Sequence, residues 1–292
     1  MRLFDLFRFV WAHPLNAEAR IAALVRVARW QIASRLLPGP VALPFVDSAR
    51  LFVTRGMTGA TGNWYCGLHE HREMGFLLHV LREADLFLDV GANVGSYTIL
   101  ASGAVGARSV TVEPVPSTFV HLQRNVALNG LGGRVQCWQG GLAERSGTLR
   151  FTTDFDTVNH VLTAGERGAA IEVPVTTLDE LVGDEIPALI KIDVEGYEWS
   201  VLKGARRALA DPRVLAVIME TNGSGSRYGV SDDELVSEMR RFGFAMYTYD
   251  PVTRVLTEAG KGEGNTIFVR DATLARERVR EARRFRLVNG SI

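Results

Sequence analysis

The chain predicts an α/β fold: a mostly parallel, Rossmann-like sheet with helices on both faces, an N-terminal helical extension and an inserted β ribbon. Three observations predict it. Short apolar runs of strand length alternate with stretches of helical period between Leu86 and Val269. The first run, Phe87-Leu88-Asp89-Val90, passes directly into a glycine turn and a helix. The composition is globular, with 292 residues, 47 % hydrophobic and 23 % charged. Lys+Arg 33 and Asp+Glu 33 cancel, which disfavours a nucleic-acid partner. Cys66 and Cys137 have no metal-ligand spacing and form no framework, so a reducing, cytoplasmic setting is expected. The charge-free stretch Val90–Ala107 carries four glycines and is too polar to span a membrane. No signal peptide is expected, because Asp5 and Arg8 interrupt the apolar start.

The elements follow in order. Leu3, Leu6, Phe7, Val10 and Trp11 share one helical face. Asn16 is expected to cap a second helix through about Arg35, with Ile21, Leu24, Val25 and Ala28 inward. Residues 1–46 hold six arginines and two acids, so this extension could pack on its own domain, lie on an anionic membrane surface or meet a second copy. Pro38, Pro40 and Pro44 read as a linker, and Leu51–Leu68 as short strands and loops. A helix is expected over Glu70–Arg82. Strands follow at Leu86–Val90, Ser109–Glu113, Val135–Trp138, Leu189–Ile192, Val214–Met219, Ala245–Tyr249 and Thr266–Val269, with helices between them. Residues 140–188 read as the β ribbon. The division expected is 1–46 as helical extension, 47–270 as the main domain and 271–292 as a basic tail.

The chemistry concentrates at strand ends. Asp89 precedes a turn whose glycines, Gly91 and Gly95, are spaced G-x-x-x-G rather than as a dinucleotide-binding turn requires. A carboxylate there repels a pyrophosphate and attracts a sulfonium, which favours S-adenosylmethionine over NAD. Gly91 would let backbone approach the ligand, and Gly95 would let the helix pack closely. Glu113 ends the second strand and can accept hydrogen bonds from both hydroxyls of a ribose. Pro114 then turns the chain. Asp193 and Glu195 leave the fourth strand at the same end of the sheet, where clustered acids need a ligand, a cation or a proton.

Three blocks, FLDVGANVGSYTIL, VTVEPVPSTFVHLQRNVALNG and LIKIDVEGYEWSVLKGA, resemble the FkbM family of S-adenosylmethionine-dependent methyltransferases. The third block is the most specific, and the resemblance spans roughly residues 68–270. It implies a seven-stranded class I methyltransferase fold with the last strand antiparallel, and O-methylation, often of sugar hydroxyls or polyketide-type products. It puts the cofactor turn on Asp89, Gly91, Asn93 and Gly95, with Ala92, Tyr97 and Thr98 in the same stretch. The ribose acid falls on Glu113 beside Pro114, and the acidic motif on Asp193, Glu195 and Gly196. Adenine is expected near Gly141 and Leu142.

An alcohol that accepts a methyl group must lose its proton, so a base is needed. The candidates are His160, Asp193, Glu195 and Glu220. Tyr65, His69 and Glu70, with Asn159, are expected to contact a small-molecule or glycan acceptor. Asp193, Glu195 and Glu220 could converge as oxygen ligands for a divalent metal, but a required metal is not expected. An oxidoreductase would need the other glycine spacing. A base-methylating enzyme would need a polar-Pro-Pro-aromatic turn where Asp193-Val194-Glu195-Gly196 stands. A non-catalytic cofactor-binding module stays open.

Overall fold

The computed structural model describes residues 3–37, 39–152, 160–163, 169–262 and 264–292. In chain order, β1 (Val41–Pro44) and β2 (Arg50–Val53) form an antiparallel hairpin. β3 (Leu86–Val90), β4 (Arg108–Glu113) and β5 (Val135–Gln139) enter the central sheet. β6 (Gly141–Leu142), β7 (Gly147–Thr152) and β8 (Ala170–Thr176) build a separate three-stranded sheet, the expected ribbon with one added strand. β9 (Leu189–Ile192), β10 (Ala216–Thr221), β11 (Ala245–Asp250), β12 (Val255–Glu258) and β13 (Gly264–Val269) complete the central sheet. β14 (Arg286–Leu287) and β15 (Gly290–Ser291) pair last.

The central sheet has eight strands in the order β12-β11-β13-β10-β9-β3-β4-β5. Neighbours from β10 to β5 are parallel, and β13 runs antiparallel to both β10 and β11. Strand β12 extends the edge beyond the seven strands the resemblance implies. No apolar run announces it, because only Leu256 of its residues is buried. Strands β3 and β9 bury every residue, as parallel strands covered on both faces do. The chain winds outward from β3 to β5 and then returns to place β9 beside β3. Open α/β sheets bind ligands beyond the carboxyl ends of strands at such a reversal.

The helices are α1 (Leu3–Ala12), α2 (Arg20–Leu36), α3 (Thr58–Cys66), α4 (His71–Val80), α5 (Ser96–Thr98), α6 (Pro116–Leu128), α7 (Leu178–Val182), α8 (Glu198–Lys203), α9 (Arg206–Ala210), α10 (Asp232–Arg241) and α11 (Ala272–Glu281). A π-helical stretch, Ile99–Val105, continues α5. Capping boxes start α7 at Thr177 and α10 at Ser231. Helices α4, α6 and α11 share a core with Phe87 and Leu189 on one face of the sheet. Helices α7 to α10 cover Leu88, Val90, Ile190 and Ile192 on the other.

Several sequence expectations change in the fold. Helix α3 replaces the strands and loops expected there. Its sequence, with two threonines and two glycines, is a weak helix former, and burial of Ala60, Thr61, Asn63 and Tyr65 overrides that weakness. Asn16 does not cap α2, which starts at Arg20. Its side chain is buried and its amide donates to Val10 O at 3.0 Å and Tyr65 O at 3.3 Å. The inward face of α2 is Ala23, Val27 and Trp30, while Ile21 and Val25 are exposed. Val10, Ala23 and Val27 join the main core, so the extension packs on the rest of the chain. Residues 271–292 are no free tail. Ala275, Val279, Phe285, Leu287 and Ile292 are buried, and Arg278 Nη1 meets Asp85 Oδ2 at 2.6 Å. Among the described residues, no helix is long and apolar enough to cross a membrane.

Candidate active site

Past β3 the chain turns at Gly91 (φ +78) and at Asn93 (φ +52) before α5. Past β9 it enters Asp193-Val194-Glu195-Gly196, with Glu195 at φ +54. The two turns touch. The Asp193 N–H donates to Val90 O at 3.0 Å. A Cβ on Gly91 would lie 1.8 Å from the Asp193 carbonyl oxygen. Gly91 is therefore required by the neighbouring backbone, and it also lines the cavity where the sequence expects the ligand to approach. A Cβ on Gly95 would sit 2.5 Å from Leu122 Cδ1 on α6, so Gly95 serves helix packing and does not line the cavity.

These turns open on a cavity of about 550 Å³, a size suited to a cofactor or small molecule. Asp89, Gly91, Ala92, Asn93, Tyr97, Glu113 and Pro114 line one part of it. Asp89 is almost wholly buried, in register between Thr111 of β4 and Lys191 of β9. Its Oδ2 accepts from Thr98 Oγ1 at 2.6 Å, and its Oδ1 has no hydrogen-bond partner among the described residues. Burial raises its pKa to about 6 against the pull of Lys191 and Thr98. Glu113 accepts backbone N–H bonds from Asn93 and Val115, each at 2.9 Å. Burial outweighs those bonds and raises its pKa to about 7.

Asp193, Glu195 and Glu220 line the adjoining part. Each offers a carboxylate oxygen, and the three oxygens lie within 4.8 Å of one another, the one such trio found among the described residues. Burial first, then Asp193 and Glu198, raise Glu195 to about 7. Burial and the same acidic neighbours hold Glu220 well above the ordinary carboxylate range. Its Oε1 accepts from Asn222 at 2.8 Å, and its buried Oε2 has no hydrogen-bond partner among the described residues. Lys191 is the buried counter-charge. Its Nζ donates to Asp193 Oδ2 at 2.5 Å and lies 4.7 Å from the Tyr97 ring centroid. Burial pushes its pKa down, but Asp193, Glu70 and Asp89 together hold the ammonium above its usual range.

The acceptor residues divide. His69 and Glu70 line the cavity. Glu70 accepts from Tyr97 Oη at 2.6 Å and Asn265 Nδ2 at 2.9 Å. Tyr65 does not, because α3 turns its ring toward α2, where Gln31 Nε2 reaches its hydroxyl at 3.5 Å. His160 does not line the cavity either. It is buried on the small sheet, with its N–H on Thr152 Oγ1 at 3.0 Å. Gly141 and Leu142 are engaged as β6, with Gly141 against Phe151 and Val175, and neither lines the cavity. Thr98 is fully buried and acts on Asp89 rather than on the cavity. Asn159 lies outside the described residues.

Lys191, Asn63 and His121 are cavity residues that the sequence does not single out as site residues. Lys191 was visible in Leu189-Ile190-Lys191-Ile192, where a lysine inside a buried strand demands a partner. Asn63 lines the cavity, accepting from His69 N–H at 2.8 Å and donating to Ser96 Oγ at 3.2 Å. His121 reaches the wall from α6, which no local pattern announces.

A sheet that reverses order between its first and fourth central strands, with an acid at the tip of each of the first two, defines a class I methyltransferase-type domain. Residues 89–246 match the model of the methyltransferase FkbM domain, and the chain belongs to that family. It is 33 % identical over 136 residues to hexuronic acid methyltransferase AglP of Haloferax volcanii, covering 46 % of this chain and 55 % of that protein. It is 27 % identical over 203 residues to 31-O-demethyl-FK506 methyltransferase FkbM of Streptomyces tacrolimicus, covering 57 % of this chain and 75 % of that one. The match thus spans little more than half the length of the first relative. Among solved structures, precorrin-6y C5,15-methyltransferase of Geobacter metallireducens aligns with TM-score 0.41 and 12 % identity, over 69 % of this chain and 88 % of that one.

Proposed function

We propose that this chain transfers a methyl group from S-adenosylmethionine to a hydroxyl oxygen of a sugar or another small molecule. The observation that carries the reading is the pairing of two sites in one cavity. The buried Asp89 carboxylate, with a free oxygen, stands beside Glu113 on the donor side, and the Asp193–Glu195–Glu220 trio stands on the acceptor side. The orphaned Asp89 oxygen is the test of fit, since a buried carboxylate without a partner is costly until a cation or donor meets it. A sulfonium donor and its ribose answer both acids.

When bound, S-adenosylmethionine supplies an electrophilic methyl on a sulfur that leaves without protonation. The residues then divide the work. Asp89, Asn93 and Glu113 orient the donor, which is most of what an in-line displacement asks of a protein. Glu195 takes the acceptor proton, because its raised pKa of about 7 brings it toward the working pH, while Glu220, held well above the ordinary carboxylate range, keeps a proton beside it for hydrogen bonding. Lys191 pairs with Asp193 and fixes it in place, while Tyr97, Met74 and Phe151 wall the cavity against water. His69, Glu70 and Asn63 face the acceptor. The trio could hold a divalent cation, but Lys191 already neutralises Asp193, so we assign no required metal. The proton-handling trio is also what favours a working enzyme over a donor-binding module.

AglP is named for a hexuronic acid and FkbM for 31-O-demethyl-FK506, which supports a small-molecule acceptor and leaves sugar and natural product as the two arms of a screen. A cytoplasmic setting suits the free Cys66 and Cys137. Titration calorimetry with S-adenosylmethionine tests the donor site, followed by a labelled-methyl screen over glycans, lipid-linked sugars and polyketides. Saturable heat and label on a hydroxyl are expected. No heat at millimolar donor overturns the reading.

A further inference from the structure

Helix α2 is apolar on two opposite faces. Ala23, Val27 and Trp30 face the core. Ile21, Val25, Ala28, Ile32 and Leu36 repeat at i, i+4, i+7, i+11 and i+15 on the other side, and all five are exposed. Ile21 is 75 %, Ile32 61 % and Leu36 74 % exposed. Among the described residues, no intramolecular packing covers this second face. Helix α1 carries an exposed apolar pair of its own, Phe4 at 77 % and Trp11 at 47 % exposure at i, i+7, with Arg8 between them. The Arg20 guanidinium lies 5.4 Å from the Trp11 ring and joins the two helices.

We infer that this double-helix face seats the protein on an anionic lipid surface. Charge decides between the occupants. Arg29 and Arg35 flank the stripe on its two sides, α2 contains no acid, and Asp5 and Glu18 are the sole acids of residues 1–46. A second copy packed on the stripe would bring the α2 arginine rows together with no carboxylate on either copy of α2 to meet them. An anionic headgroup layer meets those arginines, while the Ile and Leu side chains enter the acyl boundary and Trp11 sits at its polar level. Helix α3 packs on α2 and contributes Thr58, Gly59, Ala60 and Asn63 to the cavity wall, so the seat and the cavity share one element.

Co-sedimentation of the full chain with phosphatidylglycerol–phosphatidylcholine vesicles tests this. Binding is expected, and pure phosphatidylcholine should bind roughly tenfold or more weakly. The pair Ile32→Glu and Leu36→Glu should weaken binding by about tenfold or more, and Arg29→Gln with Arg35→Gln should weaken it and flatten its salt dependence. All four side chains are exposed, so the melting temperature should hold. Protein left in the supernatant with both vesicles overturns the inference, as does unchanged binding by the double-Glu variant. Sedimentation velocity showing a dimer that the double-Glu variant dissociates also overturns it, in favour of a second copy. Donor calorimetry on the same samples reports on the methyl-transfer site separately.

Discussion

Gly91→Ala is the sharpest test of how the two strand-end turns are built. The residue sits at φ +78, a conformation that costs an L-residue roughly 1–2 kcal/mol. The steric term is larger. The new Cβ would lie 1.8 Å from the Asp193 carbonyl oxygen, whereas ordinary contact begins at 3.4 Å. A backbone carbonyl cannot swing aside as a side-chain tip can. Both turns are also anchored, Gly91 N–H on Val112 O and Asp193 N–H on Val90 O, each at 3.0 Å. Relief therefore requires moving a turn and losing ladder bonds, and the total is expected at about 3–5 kcal/mol. Gly130→Ala is the control. Its φ is +66 and nothing lies within 4 Å of its Cβ, so only the conformational cost of about 1 kcal/mol applies. Urea unfolding of the three proteins gives both values, and donor calorimetry should show lost affinity for Gly91→Ala alone. Equal destabilisation by the two variants would refute the argument that backbone contact sets the turn.

Lys191→Met should destabilise by about 3 kcal/mol or more, because it strips a buried counter-charge from Asp193 and Asp89; thermal melts check this, and an unchanged melt counts against it. Glu195→Gln or Glu220→Gln should lower turnover by about 10²-fold or more with donor affinity nearly kept. Only an ionised carboxylate can take the proton, so the wild-type rate should rise with pH through about 7 as Glu195 ionises, and a flat profile would remove it as base. Burial raises Glu113 from 4.5 to about 7, so the folded state holds a proton that the unfolded state has lost, and this contribution to stability declines as pH rises between those values. Urea midpoints of Glu113→Gln should decline less over that window than wild type. Chelation with EDTA should leave turnover unchanged, and loss restored by magnesium would assign the acidic trio to a metal.

What the sequence alone determined lies in short, locally coded stretches. Strand-length runs at Leu86–Val90, Ser109–Glu113 and Leu189–Ile192 report burial on both faces of a parallel sheet, and the acids at or just past their ends stand at the ligand edge. Asp89, Glu113, Asp193 and Glu195 were therefore legible as cavity residues from strand position alone. Tertiary structure decided the rest. Local composition points Tyr65 at the cavity, yet α3 forms against its own propensity and turns that ring to α2. His160 and Gly141 lie near chemistry in the sequence, but the small sheet claims their backbones. The inward face of α2 could not be chosen from its pattern, because both faces are apolar and only packing selects one. A strand's end is set by its own residues, whereas the direction a helix or loop faces depends on partners far along the chain.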